Sequence, residues 1–282
     1  MEWDRLKQLL SAPFWRCGCV IVPYSLNFNS SRKTGTGFEP QLQVGQNSKA
    51  VQRYVSSQKK LSAIFVSVIF ALEDKKLIFP PVHLAEPDGL LAMGGDLSVE
   101  RLVLAYKNGI FPWYEGDVIL WWCPHPRFVL FPNELKINKT SKAVLKNTNF
   151  EFTINRSFKE VIHQCKNIKR PGQTGTWITD EVENAYCKMH EMGYAHSAEA
   201  WNGNKLVGGL YGIRLGNVFF GESMFSKQSN ASRFAFLKYL QLLKEEGVQL
   251  IDCQVYTEYL ESFGARMIGR KEFICQIRKL IP

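Results

Sequence analysis

The chain has 282 residues, 45% of them hydrophobic and 22% charged, and a formal net charge of +9. That balance fits one or two compact domains with a sizeable core and excludes fibrous and wholly disordered proteins. Nine basic and three acidic residues fall within 1–60, so the overall charge is weak evidence for a nucleic-acid partner.

Segment 1–61 is a basic, serine-containing N-terminal extension. It is expected to be disordered or the product of a misassigned start, and it loosely suits a transit peptide. The apolar run Leu61–Leu72 has 12 residues, well short of the roughly 20 that span a bilayer, so no membrane association is expected. Pro80, Pro81 and Pro87 then keep the chain extended or turned. Ser98 is placed to cap a helix through Asn108, which Gly109 stops. Val118–Trp122 and Arg127–Phe131 read as strands around a Pro124/Pro126 turn. Residues 62–127 form a small N-terminal unit, a lid or platform, and 128–282 form the larger domain.

Between 136 and 170 basic residues dominate. Lys139, Lys142 and Lys146 recur at three- and four-residue steps and would line one helix face. Such a stripe reads either as a solvated surface or as a contact for a phosphate backbone. Phe150–Ile154 alternates as a half-buried strand, and Asn155 is expected to cap a helix to about Lys166. Thr179 caps another that Gly193 ends. His196–Trp201, Lys205–Ile213 and Val218–Gly221, separated by turns at 202–204 and 215–217, form an antiparallel meander. A helix from Asn230 or Ala231 to Glu246, a strand at 248–255, a short helix at 257–263 and a final helix at 270–280 complete the chain.

Strand, helix, helix, three strands, helix, strand, helix is the element order of an acetyltransferase-like (N-acyltransferase) fold. The fold class is therefore α+β, a small N-terminal α/β domain followed by that mixed-sheet domain. Users of coenzyme A in this fold carry a glycine-rich loop before the long helix. Here 221–230 begins with a single glycine, and no phosphate cradle is evident. The glycines of Gly208-Gly209-Leu210-Tyr211-Gly212 lie inside a strand pattern, where they permit close approach by a ligand or a neighbouring backbone. No nucleotide, zinc-protease or serine-hydrolase motif occurs, and the seven cysteines show no metal-ligand spacing. No cofactor and no metal is expected, and the scattered cysteines suit a reduced, cytoplasmic compartment.

Asp252 and Gln254 stand two residues apart in an otherwise apolar strand. Alternation puts Leu250, Asp252 and Gln254 on one face, and Ile251, Cys253 and Val255 on the other. A carboxylate there faces a cavity or is satisfied structurally, by an arginine or a helix N-terminus. Glu222 ends the strand Val218-Phe219-Phe220, where it either joins Asp252 in an acidic pocket for an amine or caps the next turn. Trp113, Trp121, Trp122 and Trp177 read as core or as stacking platforms for nucleobases.

Several segments together carry a resemblance. Pro87-Asp88-Gly89-Leu90-Leu91-Ala92-Met93-Gly94-Gly95-Asp96-Leu97-Ser98, Gly109-Ile110-Phe111-Pro112-Trp113, Ile119-Leu120-Trp121-Trp122-Cys123-Pro124, Gly175-Thr176-Trp177-Ile178-Thr179, Gly221-Glu222-Ser223-Met224-Phe225-Ser226 and Leu250-Ile251-Asp252-Cys253-Gln254 resemble the leucyl/phenylalanyl-tRNA–protein transferase family from about 78 to 275. The resemblance implies transfer of Leu or Phe from leucyl-tRNA or phenylalanyl-tRNA to the α-amine of proteins beginning with Arg or Lys, marking them for degradation by the N-end rule. It implies that Trp113 and Trp177 hold the terminal adenosine of the tRNA and that Leu210, Met224 and Ile251 line the aminoacyl side-chain pocket. Glu222 and Asp252 would receive the acceptor N-terminus, and Gln254 would orient the amine or the ester carbonyl. The backbone contact falls to Lys139, Lys142, Lys146, Lys166, Lys169 and Arg170. Leu210 and Thr257 replace the Met and Asn of some relatives, and residues 1–60 have no counterpart. A monomer is expected. The rival readings are a coenzyme A-dependent N-acetyltransferase and a tRNA-binding module without catalysis.

Overall fold

The structure, a computed structural model, describes residues 20–23 (backbone only), 68–146, 149–168 and 176–282. The chain divides into two compact units, Met1–Val68 and Ile69–Pro282. In the first unit strand β1 (Val20–Pro23) is described. The rest of the expected disordered extension, together with Lys169, Arg170 and Gly175, lies outside the described residues.

Strand β2 (Val68–Leu72) leads into the second unit and pairs in parallel with β3 (Leu90–Gly94), neither of which the sequence announced. Helix α1 (Val99–Lys107) starts at Ser98, whose side chain accepts from the Arg101 N–H, and turns Leu102, Ala105 and Tyr106 inward. Strands β4 (Phe111–Pro112) and β5 (Leu120–Trp122) complete a sheet with the order β2-β3-β5-β4. Trp121 is core: it is fully buried, and its indole N–H donates to the Gly94 carbonyl at 2.8 Å.

The larger sheet takes β6 (Arg127–Leu130), β7 (Glu151–Ile154), β8 (Ala195–Asn202), β9 (Lys205–Leu215), β10 (Val218–Ser226), β11 (Leu250–Gln254) and β12 (Arg266–Ile268) in the order β12-β6-β11-β10-β9-β8-β7. Only β10 and β11 pair in parallel; the remaining neighbours are antiparallel. Around them lie α2 (Lys139–Leu145), α3 (Phe158–Asn167), α4 (Asp180–Glu191), α5 (Ala231–Glu245), α6 (Glu258–Glu261) and α7 (Arg270–Leu280). The element order expected of the mixed-sheet acyltransferase domain is the one observed from β7 to α7, with the short edge strand β12 added.

Two adjacent glycines show how the layers stack. A Cβ on Gly208 would lie 2.7 Å from the Cβ of Ala231 at the start of α5, while one on Gly209 would lie 2.8 Å from the Ala198 carbonyl and 3.5 Å from Val161 on α3. Successive strand residues face opposite sides, so α5 covers one face of the sheet and α3 the other. The close approach that these glycines permit is to neighbouring protein. Phe234, Leu237, Leu240 and Leu243 of α5 fill the core over Val207, Leu210, Phe219 and Ile251.

Three local expectations need correction. Asn155 is not a helix cap: it adopts φ 55°, and its side-chain oxygen accepts from the Ser197 N–H, while Ser157 occupies the N-cap of α3. Residues 222–226, beyond the strand expected to end at Gly221, continue β10 beside β9. The strict alternation expected along β11 is broken after Asp252.

Candidate active site

The parallel pairing of β10 with β11 covers Val218 opposite Leu250 through Phe220 opposite Asp252. Beyond that level each strand carries one extra residue. On β10, Gly221 faces Gly212 and Ser223 faces Tyr211, leaving Glu222 as the bulge. On β11, Asp252 faces Val129 and Gln254 faces Phe128, leaving Cys253 as the bulge, and Gln254 takes φ 62°. Bulges twist and bend their strands. At this level a cavity of about 530 Å³ is lined by β10 and β11 residues, at the carboxyl ends of the parallel strands, where open α/β sheets place their ligands. Ile251, Asp252, Cys253 and Gln254 all line it, and the shift after Asp252 frees Cys253 and Gln254 from strict alternation.

Part of the cavity lining is apolar. Leu210 of β9 and Met224 of β10 are register partners, and Ile251, Phe219 and Phe236 complete the wall. The polar part of the lining centres on Glu222. Its Oε1 accepts from the Tyr106 hydroxyl at 2.7 Å and from the Gln254 side-chain amide at 3.0 Å, and its Oε2 accepts from the Tyr186 hydroxyl at 3.3 Å. The two tyrosine oxygens are 2.5 Å apart. Tyr106 comes from α1 and Tyr186 from α4, and both are fully buried. Burial pushes the Glu222 carboxyl up to about 8. Its three hydrogen-bond donors pull the other way, and the nearby Asp252 charge adds to the rise.

Asp252 has a different environment. Arg127 meets it through two hydrogen bonds, Nε to Oδ1 at 2.7 Å and Nη2 to Oδ2 at 2.6 Å, and both side chains are fully buried. The guanidinium lies 4.8 Å from the centre of the Phe111 ring and 4.6 Å from that of Phe273. Burial disfavours the charged guanidinium, yet Asp252 carries it above its usual value. Asp252 Oδ1 also accepts from the Gln254 N–H at 2.9 Å, which pins the bulge. Of the two readings open for Asp252, the carboxylate bonded to an arginine is therefore present, at the edge of the cavity.

Trp113 and Trp177 also line the cavity. Trp113 is 48% exposed, and its ring leans on Trp122 at 5.7 Å, while the Trp122 indole N–H donates to the Trp113 carbonyl. Trp177 meets Tyr186 edge to face at 6.4 Å. Each indole is thus held against a second aromatic residue.

The basic residues split. Lys139, Lys142 and Lys146 are exposed on or just beyond α2, which packs on α5. Lys166 of α3 is engaged by Asp180 and by Glu183 of α4, the latter at 3.0 Å. Its charge is spent inside the protein, so a role for Lys166 at a phosphate backbone is not supported by its surroundings. Lys169 and Arg170 lie outside the described residues.

Sequence reasoning missed Arg127, Tyr106 and Tyr186. A lone arginine heading the apolar strand Phe128-Val129-Leu130 and a hydroxyl on the inward stripe of α1 were the available signals. Among the described residues, no cluster of three or more His, Cys, Asp or Glu side chains is placed to hold a metal ion, and no helix is long and apolar enough to cross a membrane.

Residues 129–278 match the family described as leucyl/phenylalanyl-tRNA protein transferase, and residues 95–125 match the N-terminal domain of that family. The chain is similar to the leucyl/phenylalanyl-tRNA–protein transferase of Syntrophus aciditrophicus, 55% identical over 206 residues, which is 73% of this chain and 86% of that one. It is also similar to that of Flavobacterium johnsoniae, 57% identical over 201 residues, 71% of this chain and 95% of that one. A third, from Syntrophobacter fumaroxidans, is 52% identical over 215 residues, 76% and 92% of the two chains.

Proposed function

Because this chain belongs to the leucyl/phenylalanyl-tRNA–protein transferase family, and is thus an aminoacyltransferase acting from aminoacyl-tRNA to protein, we propose that its donors are leucyl-tRNA and phenylalanyl-tRNA and its acceptors are proteins beginning with Arg or Lys. The products are then substrates for N-end rule degradation, and the reaction runs in the cytoplasm with the protein as a monomer. The same proposal assigns 62–127 to a small N-terminal domain and 128–282 to the acyltransferase domain.

The observation that carries this reading is the mixed lining of the cavity, apolar side chains beside a buried carboxyl. Leu210, Met224 and Ile251 offer an apolar wall to a Leu or Phe side chain, and Glu222 with Gln254 offers acceptors and a donor to a basic N-terminus. Trp113 and Trp177 at the same cavity suit the flat faces of the terminal adenosine. The tRNA ester is already activated, so transfer needs only a deprotonated amine, a held carbonyl and an exit for the ribose oxygen. The amine nitrogen bonds to the ester carbon, the ester C–O bond breaks, and the ribose leaves as an alcohol. In this scheme Asp252, locked to Arg127, holds the bulge that presents Gln254 and contributes its negative field. Lys139, Lys142 and Lys146 meet the acceptor-stem phosphates without regard to sequence.

The test is transfer of labelled Phe from charged tRNA to a peptide beginning with Arg, with coenzyme A thioester as the competing donor. Transfer from tRNA alone supports the reading. Acylation from the thioester, or tight tRNA binding with no transfer, replaces it with one of the rival readings.

A further inference from the structure

Two carboxylates line the cavity among the described residues, and the structure treats them oppositely. Asp252 is paired with a cation through two hydrogen bonds from Arg127. Among the described residues, the donors that reach Glu222 are neutral: Tyr106 from α1, Tyr186 from α4 and Gln254 from β11. The other charges nearby are Asp252 itself and the Arg127 already paired with it.

Counting protons in this cluster gives its chemistry. The two hydroxyls and the carboxylate make three mutual contacts, at 2.5, 2.7 and 3.3 Å. With Glu222 ionised, two hydroxyl protons serve three contacts, and one contact has no proton in it. Both phenols are fully buried, so water does not fill that gap. A third proton, on Glu222, lets each of the three groups donate once and accept once around a closed ring. The cluster therefore gains a hydrogen bond when it takes one proton, and it has no use for a second.

Resting on the family reading above, we infer that Glu222 is the catalytic residue that takes the proton of the acceptor α-ammonium, and that Tyr106 and Tyr186 are positioning residues that hold its carboxyl and close the ring around that proton. The ammonium gives one proton to Glu222, and the freed amine attacks the ester carbon. The second nitrogen proton goes to the departing ribose oxygen as the C–O bond breaks, and the proton on Glu222 is lost to solvent when the product leaves. The tyrosines do not act as bases, because burial holds both phenols well above their usual value and keeps them protonated. A carboxyl near 8 matches an α-amine, whose ordinary value is about 8, so the transfer is close to balanced.

The experiment follows the full-length protein with ¹³C-labelled glutamate carboxyls alongside single-turnover transfer at saturating acceptor, from pH 6 to 9.5, for wild type, Glu222→Gln, Tyr106→Phe and Tyr186→Phe. In wild type one carboxyl titrates near 8 and is missing in Glu222→Gln, which loses about 100-fold in rate. Each tyrosine variant removes a charge-assisted donor from the ionised carboxylate, a larger loss than that of the neutral bond the ring gains on protonation. Its midpoint therefore moves up by about one pH unit in both the titration and the rate. A Glu222→Gln enzyme with wild-type rate, or tyrosine variants that lose rate without moving the midpoint, overturns the inference. Wild type that transfers nothing at any pH, while its carboxyl titrates as stated, sinks the family reading instead and leaves the cluster as a structural one.

Discussion

Arg127 and Asp252, 125 residues apart in the chain, are joined by two hydrogen bonds of 2.7 and 2.6 Å in a fully buried pair between the rings of Phe111 and Phe273. The pair ties β6 to β11 at the level where the cavity opens, so it is a device for holding the site's geometry.

Removing either partner leaves the other as an unpaired buried charge. Asp252→Ala and Arg127→Ala are each expected to cost about 3–5 kcal/mol in urea unfolding. The double variant Arg127→Met/Asp252→Leu is expected to be more stable than either single one, while transfer stays low because Gln254 loses the acceptor of its N–H. A double variant no more stable than the singles would show that the pair's charges do not depend on one another.

Glu222 links stability to pH. Its carboxyl lies at about 8 in the folded protein against 4.5 unfolded. Between those values the folded state binds more protons than the unfolded one. Its contribution to stability is therefore complete below 4.5, declines as pH rises, and levels off above about 8. Glu222→Gln removes that decline. Unfolding curves are expected to show the variant gaining on wild type from pH 5 to pH 8, and parallel curves would contradict this.

On the proposed reading, the apolar lining of the cavity sets the size of the transferred side chain. Met224→Ala deletes part of the wall beside Leu210. It is expected to raise KM for leucyl-tRNA about tenfold with a smaller effect on kcat, since lost apolar contact of this size is worth about 1–3 kcal/mol. Steady-state kinetics with both charged tRNAs check it.

Stacking and phosphate contacts separate by their response to salt. Trp113→Ala and Trp177→Ala are each expected to weaken tRNA binding by about 1–3 kcal/mol with an unchanged salt slope. Each of Lys139→Gln, Lys142→Gln and Lys146→Gln is expected to lower that slope by about 0.9. Lys166→Gln, whose charge meets Asp180 and Glu183, is expected to leave it unchanged.

What could be read in advance was what local chemistry dictates. Ser98 and Thr179 each accept from an N–H three residues on, as side chains at a cap do, and the final helix spans Arg270–Leu280 as expected. Glu222 and Asp252 drew notice because carboxylates in apolar strands are costly, and both border the cavity. The remainder depends on partners distant in sequence. No pattern near 252 specifies Arg127, and no pattern near 222 specifies Tyr106 or Tyr186. The bulges at Glu222 and Cys253 arise from register between neighbouring strands, so a period-two reading of β11 holds through Asp252 and fails beyond it, at Cys253 and Gln254. The ion pairs of Lys166 were hidden for a related reason: its carboxylate partners sit on the next helix.

The central claim is that this cavity joins an aminoacyl group to an α-amine. The most direct measurement incubates the full-length protein with [¹⁴C]phenylalanyl-tRNA and two peptides of one sequence beginning with Arg, one with a free N-terminus and one Nα-acetylated. The expected result is label on the free peptide alone, at its first residue. Label on neither peptide, or on both equally, would contradict the claim.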